Sequence, residues 1–157
     1  MASRSGRRNR AMLALILSPL AAWLSTVGAA DAPAYRVENF AIPEPLTDTP
    51  GDPARGLAVM ADRELGNCFG CHVVPVDAEF FGTTGPTLEN VGERLNAAQL
   101  RLRLVDSKQI NPMSMMPSYY RTEGLHRVLD AFEGTTVLSA QQIEDVIAYL
   151  MTLRREP

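Results

Sequence analysis

Cys68-Phe69-Gly70-Cys71-His72 places two thiols and an imidazole within five consecutive residues. Cys-X-X-Cys-His is the attachment sequence for haem c. Two thiols one helical turn apart can reach the two vinyl groups on one edge of a porphyrin, and the resulting thioethers fix the ring. His72, next in line, then lies beneath the iron and supplies the proximal imidazole. Other chemistries for the same residues are weaker. An exported pair of cysteines can oxidise to a disulfide, but that leaves His72 without a role. A redox dithiol of the thioredoxin kind wants a βαβ context, and no such pattern surrounds these residues. A zinc site needs two further Cys or His ligands, and only His126 remains. The motif therefore predicts one covalently bound haem c.

A ligating histidine needs an acceptor for its other ring N–H, which fixes the tautomer and the ring orientation. Gly85-Pro86-Thr87-Leu88 is the loop best suited to supply it, through the Pro86 carbonyl. The sixth iron position needs a ligand from the opposite side of the ring, and methionine there raises the potential of an electron-transfer haem. Three methionines crowd one segment, Asn111-Pro112-Met113-Ser114-Met115-Met116-Pro117-Ser118-Tyr119-Tyr120. Met116 precedes a proline, which restricts it to extended backbone and helps to aim its thioether. Met113 and Met115 remain alternatives, and His126 would make a bis-histidine haem.

These groups must be carried by helices. Asp52 and Pro53 suit the cap and first position of a helix. Leu57, Met60, Ala61 and Leu65 recur along it at helical spacing, and Gly66-Asn67 should end it just before Cys68. Residues 73–93 hold Gly82, Gly85, Pro86 and Gly92 and read as a structured loop. Asn96 to Gln99 forms a capping-box pattern ahead of Leu100, Leu102, Leu104 and Val105. Residues 106–124 read as loop again, and 125–132 as one or two helical turns. Ser139 to Gln142 repeats the capping box. The last helix carries Ile143, Val146, Ile147 and Leu150 as one apolar stripe. No convincing strand appears. Single-haem folds of this kind pack an N-terminal helix across a C-terminal one, which would put Gly56 or Ala61 at the close approach with Tyr149 or Ile147 opposite.

The chain has 157 residues, 46% of them hydrophobic, which suits one globular domain. Its first thirty residues stand apart. Arg4, Arg7, Arg8 and Arg10 precede an apolar run from Ala11 to Trp23, and small residues follow as far as Ala30. That is the pattern of a secretory signal peptide, and the run is short for a membrane span of about 20 residues. Domain boundaries follow: signal peptide 1–30, a Pro-rich arm 31–50 and a haem-binding domain 51–157. Removing the signal takes away four arginines and no acid, so the net charge falls from −3 to −7. This argues against nucleic acid and anionic membrane surfaces as partners, and no span remains after cleavage. Lys108 is the only lysine, so a docking ring of lysines is not available.

The general plan resembles the all-α class I cytochrome c fold, a single domain wrapped around one haem. Narrower features are similar to the SoxX family, the small c-type cytochrome subunits of the SoxAX complex of bacterial sulfur oxidation. They are Gly85-Pro86-Thr87-Leu88 with Val91-Gly92-Glu93-Arg94, then Ile110-Asn111-Pro112, Met116-Pro117-Ser118-Tyr119-Tyr120-Arg121, and Glu144-Asp145-Val146-Ile147-Ala148-Tyr149-Leu150. The resemblance covers nearly the whole chain after the signal. It implies that Cys68 and Cys71 are the covalent attachment sites, His72 the proximal ligand and Met116 the distal ligand. It also implies a periplasmic location and a larger SoxA-type cytochrome partner. The complex in that family joins thiosulfate oxidatively to a cysteine of a carrier protein, as an L-cysteine S-thiosulfotransferase, and a downstream cytochrome takes the electrons. The residues agree on one point. Both thiols are consumed as thioethers, so no thiolate remains to carry sulfur. The chain itself should hold no catalytic residue and should only pass electrons.

A free electron shuttle is the alternative to a docked subunit. Docking would call for an apolar patch beside the haem edge. Phe80-Phe81 and Tyr119-Tyr120 could form it, or could line the haem pocket instead. A haem sensor or peroxidase would need an open sixth position, against which the methionine counts.

Overall fold

The computed structural model describes residues 35–155. The expected signal peptide and the first residues of the arm lie outside them. Four α-helices follow in order: α1 (Pro53–Ala61), α2 (Val91–Arg94), α3 (Ala97–Asp106) and α4 (Ala140–Thr152). Short 3-10 turns occur at Cys68–Gly70, Ser107–Gln109 and Asp130–Phe132. No strand occurs among the described residues beyond one isolated bridge between Glu38 and Ala41. None of their helices is long and apolar enough to cross a membrane. This is the all-α architecture expected.

α1 starts where Asp52 accepts the Arg55 N–H and Pro53 takes the first turn. It ends earlier than its apolar spacing suggests. Asp62 leaves helical geometry, and its carboxylate takes the Glu64 N–H while its carbonyl takes that of Asn67. These local bonds compete with the helix and win, so Leu65 lies in a turn. Both expected capping boxes form, Asn96 with Gln99 on α3 and Ser139 with Gln142 on α4. The single turn α2 lies in what reads as loop. Residues 125–132 provide only the 3-10 turn at their end, and Arg127 sits at φ +59°, which interrupts any helix there.

α1 lies across α4. The approach is closest at Gly56, where a Cβ would fall 2.0 Å from the Asp145 carbonyl oxygen. The expectation of Tyr149 or Ile147 opposite is corrected: Gly56 faces the backbone of Asp145 and Val146, and Ala61 is exposed. The register is set by Asp145. Its carboxylate accepts the Asp52 N–H at 2.8 Å and both Arg55 Nε and Nη2, at 2.8 and 2.9 Å. Desolvation works to raise this carboxyl, but those bonds and one from Gln141 hold it below its ordinary range. The core they frame contains Met60, Leu102, Val105, Leu138, Ile143 and Val146.

The arm packs on this core. Ile42 and Leu46 are buried, and Ile42 N–H bonds the Ala98 carbonyl at 3.0 Å. Beneath it lies a buried bidentate pair, Arg101 Nε and Nη2 to Glu144 at 2.7 and 2.9 Å. Arg101 Nη1 also donates to the Ile42 carbonyl, and Glu144 accepts the Leu46 N–H. One ion pair thus fastens the arm to α3 and α4, with every polar atom used.

Candidate haem site

The two cysteines sit on the turn that follows α1. Gly66 N–H reaches back to the Val59 carbonyl, and Asn67 takes left-handed backbone at φ +46°. The chain then winds tightly: Cys71 and His72 N–H both bond the Cys68 carbonyl, at 3.1 and 2.9 Å. Cys68 is partly buried and Cys71 exposed, and both are free thiols. Desolvation pushes the Cys68 thiol up to about 12, so it is a poor thiolate nucleophile.

The loop after the turn folds back on it. Gly82, Gly85 and Leu88 N–H groups bond the carbonyls of Phe69, Cys71 and Val73, at 2.8, 2.8 and 2.9 Å. The rings of Phe69 and Phe81 meet at 5.1 Å in a tilted arrangement. Arg94 holds the far side through the Thr87 and Glu89 carbonyls. The loop thereby carries Pro86 to His72, whose Nδ1 lies 2.6 Å from the Pro86 carbonyl oxygen. A carbonyl only accepts, so this contact assigns the ring proton to Nδ1 and leaves the Nε2 lone pair free. Gly85 lies against the ring face itself.

The loop that bears the three methionines is fixed from α3. Tyr119 and Tyr120 N–H groups bond the Leu104 and Val105 carbonyls at 3.0 and 3.3 Å. Tyr119 Oη donates to the Gly66 carbonyl at 2.7 Å, joining this loop to the cysteine turn. Burial pushes that phenol well above its ordinary value. The three methionines differ sharply. Met113 and Met115 are 86% and 82% exposed, while Met116 is partly buried against the core. His126 is exposed. Tyr119 and Tyr120 are 6% and 4% exposed and so belong to the interior, which removes them from any docking patch. Phe80 is 69% exposed and Phe81 is packed inward.

Residues that sequence reasoning passed over complete the loop. Met116 O accepts from Ser107 Oγ at 2.8 Å and from Lys108 Nζ. Buried Asp106 accepts Ser118 Oγ at 2.7 Å. Periodicity carries no signal for such side-chain-to-loop bonds.

This donor set fits a covalent haem. It offers two unpaired thiols three residues apart, an imidazole oriented through Nδ1, and a half-buried thioether on a braced loop. Among the described residues no three His, Cys, Asp or Glu side chains gather as a site for a bare metal ion.

A family model for cytochrome c matches residues 53–154. A search of curated proteins returned no match. Among solved structures, the chain is similar to one in the crystal structure of SoxXA from P. pantotrophus. Identity is 37% with a TM-score of 0.71, and the match covers 77% of this chain and 95% of that one. The covalent haem read from the Cys-X-X-Cys-His turn and the all-α fold around it thus coincide with both comparisons: the chain belongs to the cytochrome c family, as a SoxX-type cytochrome with a covalently bound haem c.

Proposed function

We propose that this chain is the electron-transfer subunit of a periplasmic SoxAX-type complex. The complex oxidatively couples thiosulfate to a cysteine of a carrier protein, as an L-cysteine S-thiosulfotransferase, and passes the electrons to a downstream cytochrome. The observation that carries this reading is the 37% identity extending over 95% of a chain of the SoxXA structure. When bound, the haem supplies one-electron redox chemistry.

The residues divide the work. Cys68 and Cys71 anchor the ring covalently, which also removes the only two thiols from sulfur chemistry. His72 presents Nε2 to the iron because Pro86 holds Nδ1–H. Met116 would supply the second iron ligand, and its burial supports it over Met113 and Met115. A His/Met pair favours a high potential suited to accepting electrons. The larger SoxA-type partner holds the cysteine that carries the sulfur intermediate.

The test is native purification from the source cells, with haem staining and mass determination of what accompanies the chain. Co-purification with a larger haem protein, and thiosulfate-dependent reduction of both, is the expected result. A chain that elutes alone, and that thiosulfate with the periplasmic fraction never reduces, would be a free electron shuttle and would overturn the proposal.

A further inference from the structure

We propose that Ser107 and Lys108 are positioning residues that clamp the Met116 loop shut and tune the haem. The proposal rests on Met116 as the sixth ligand. Two donors converge on one carbonyl: Ser107 Oγ lies 2.8 Å from Met116 O, and Lys108 Nζ bonds the same atom. Together they use both lone pairs of that oxygen. The remaining contacts act on the same few residues. Ser114 Oγ accepts the Met116 N–H at 3.2 Å, and Asp106 takes Ser118 Oγ at 2.7 Å and the Lys108 N–H at 3.2 Å. Ser107 and Asp106 are each 5% exposed, so the clamp is built into the end of α3.

The residue types matter. Lys108 is the only lysine in 157 residues, and its ammonium is spent on a loop carbonyl. A bond from a charged donor is stronger than a neutral one. The charge also disfavours the more positive, oxidised state of a nearby haem. The clamp therefore does two separable things. It keeps the thioether in place against competitors, and it raises the reduction potential.

Imidazole is the probe. It binds the iron only when Met116 has left, so its apparent Kd is the intrinsic value divided by the fraction of open loop. Holoprotein with Lys108→Met should bind imidazole about tenfold more tightly than wild type, and Ser107→Ala about threefold, from the strength of the bonds removed. Lys108→Arg keeps donor and charge and should stay within about twofold. The potential should fall in Lys108→Met and in Lys108→Gln, and hold in Lys108→Arg. Met116→Ala is the control and should bind imidazole most tightly of all. If it does while the Ser107 and Lys108 variants match wild type in affinity and potential, the clamp is wrong. If Met116→Ala itself keeps the wild-type spectrum and weak imidazole binding, the ligand assignment beneath it fails instead.

Discussion

Replacing Gly85 with alanine should dislodge His72. A Cβ at that position would lie 2.3 Å from His72 Cε1, 2.6 Å from Nδ1 and 2.8 Å from Nε2. Non-bonded carbons prefer about 3.5–4.0 Å, so the ring would have to retreat by about 1 Å or more. The backbone cannot absorb the clash. Gly85 N–H is bonded to Cys71 O at 2.8 Å, and Leu88 N–H to Val73 O at 2.9 Å, so the loop is pinned on both sides. Retreat of the ring breaks the 2.6 Å bond to Pro86. Overpacking of this kind costs about 1–3 kcal/mol, and the lost hydrogen bond about 1 kcal/mol more. The sum, about 2–4 kcal/mol, corresponds to a fall of about 1–2 M in the urea midpoint for a slope near 2 kcal/mol/M. Urea unfolding of holoprotein, followed at the haem absorbance, measures it. A potentiometric titration reports the altered imidazole. A wild-type midpoint together with a wild-type potential would show that the ring does not rest on Gly85, and the reasoning would be refuted.

Three further outcomes follow from the frame around the site. Arg101→Met should cost about 3–5 kcal/mol in urea unfolding, because it leaves Glu144 buried and unpaired. Adding Glu144→Leu should recover much of that, and a double variant no better than the single would contradict the pairing. Gly56→Ala drives a Cβ to within 2.0 Å of the Asp145 carbonyl and should lower stability by about 1–3 kcal/mol or more; an unchanged melting temperature would rule out the close crossing of α1 and α4. Asp145 has a carboxyl depressed in the folded chain, against its own desolvation, by bonds from Arg55, the Asp52 N–H and Gln141. Its contribution is complete above the unfolded carboxylate pKa of about 3.9 and is lost as pH falls through the lower folded value. Asp145→Asn should therefore flatten the acid limb of the stability profile below about pH 4, and a limb as steep as wild type would place the acid sensitivity elsewhere.

Legibility of the fold follows the range of the forces involved. Both capping boxes can be read from four consecutive residues because both partners of each bond lie within them. The apolar stripe of α4 is equally local. The end of α1 is not, since Leu65 continues the helical spacing while the Asp62 side chain and carbonyl capture two N–H groups beyond it. The crossing of the terminal helices can be anticipated, but its register cannot. Gly56 meets Asp145 because three bonds to one carboxylate, ninety or more residues away in sequence, choose that register over Tyr149 or Ile147.

The site divides in the same way. Cys68, Cys71 and His72 are legible because the geometry of one turn dictates their spacing, and Pro86 because an oriented imidazole needs an acceptor within a nearby loop. The methionines pose a different problem. Met113, Met115 and Met116 share composition and neighbourhood, and the proline after Met116 biases its backbone without saying which side chain turns inward. What separates them is burial, and burial here is set by long-range bonds. Tyr119 lies under α3 with its hydroxyl on Gly66, and Ser107 and Lys108 seize the Met116 carbonyl. With residues 116 and 119 fixed, the two preceding methionines at 113 and 115 are left in solvent. The same bond from Tyr119 ends on the residue two before Cys68. The Met116 loop and the cysteine turn are therefore one mechanical unit, and a change at either should be felt at the other.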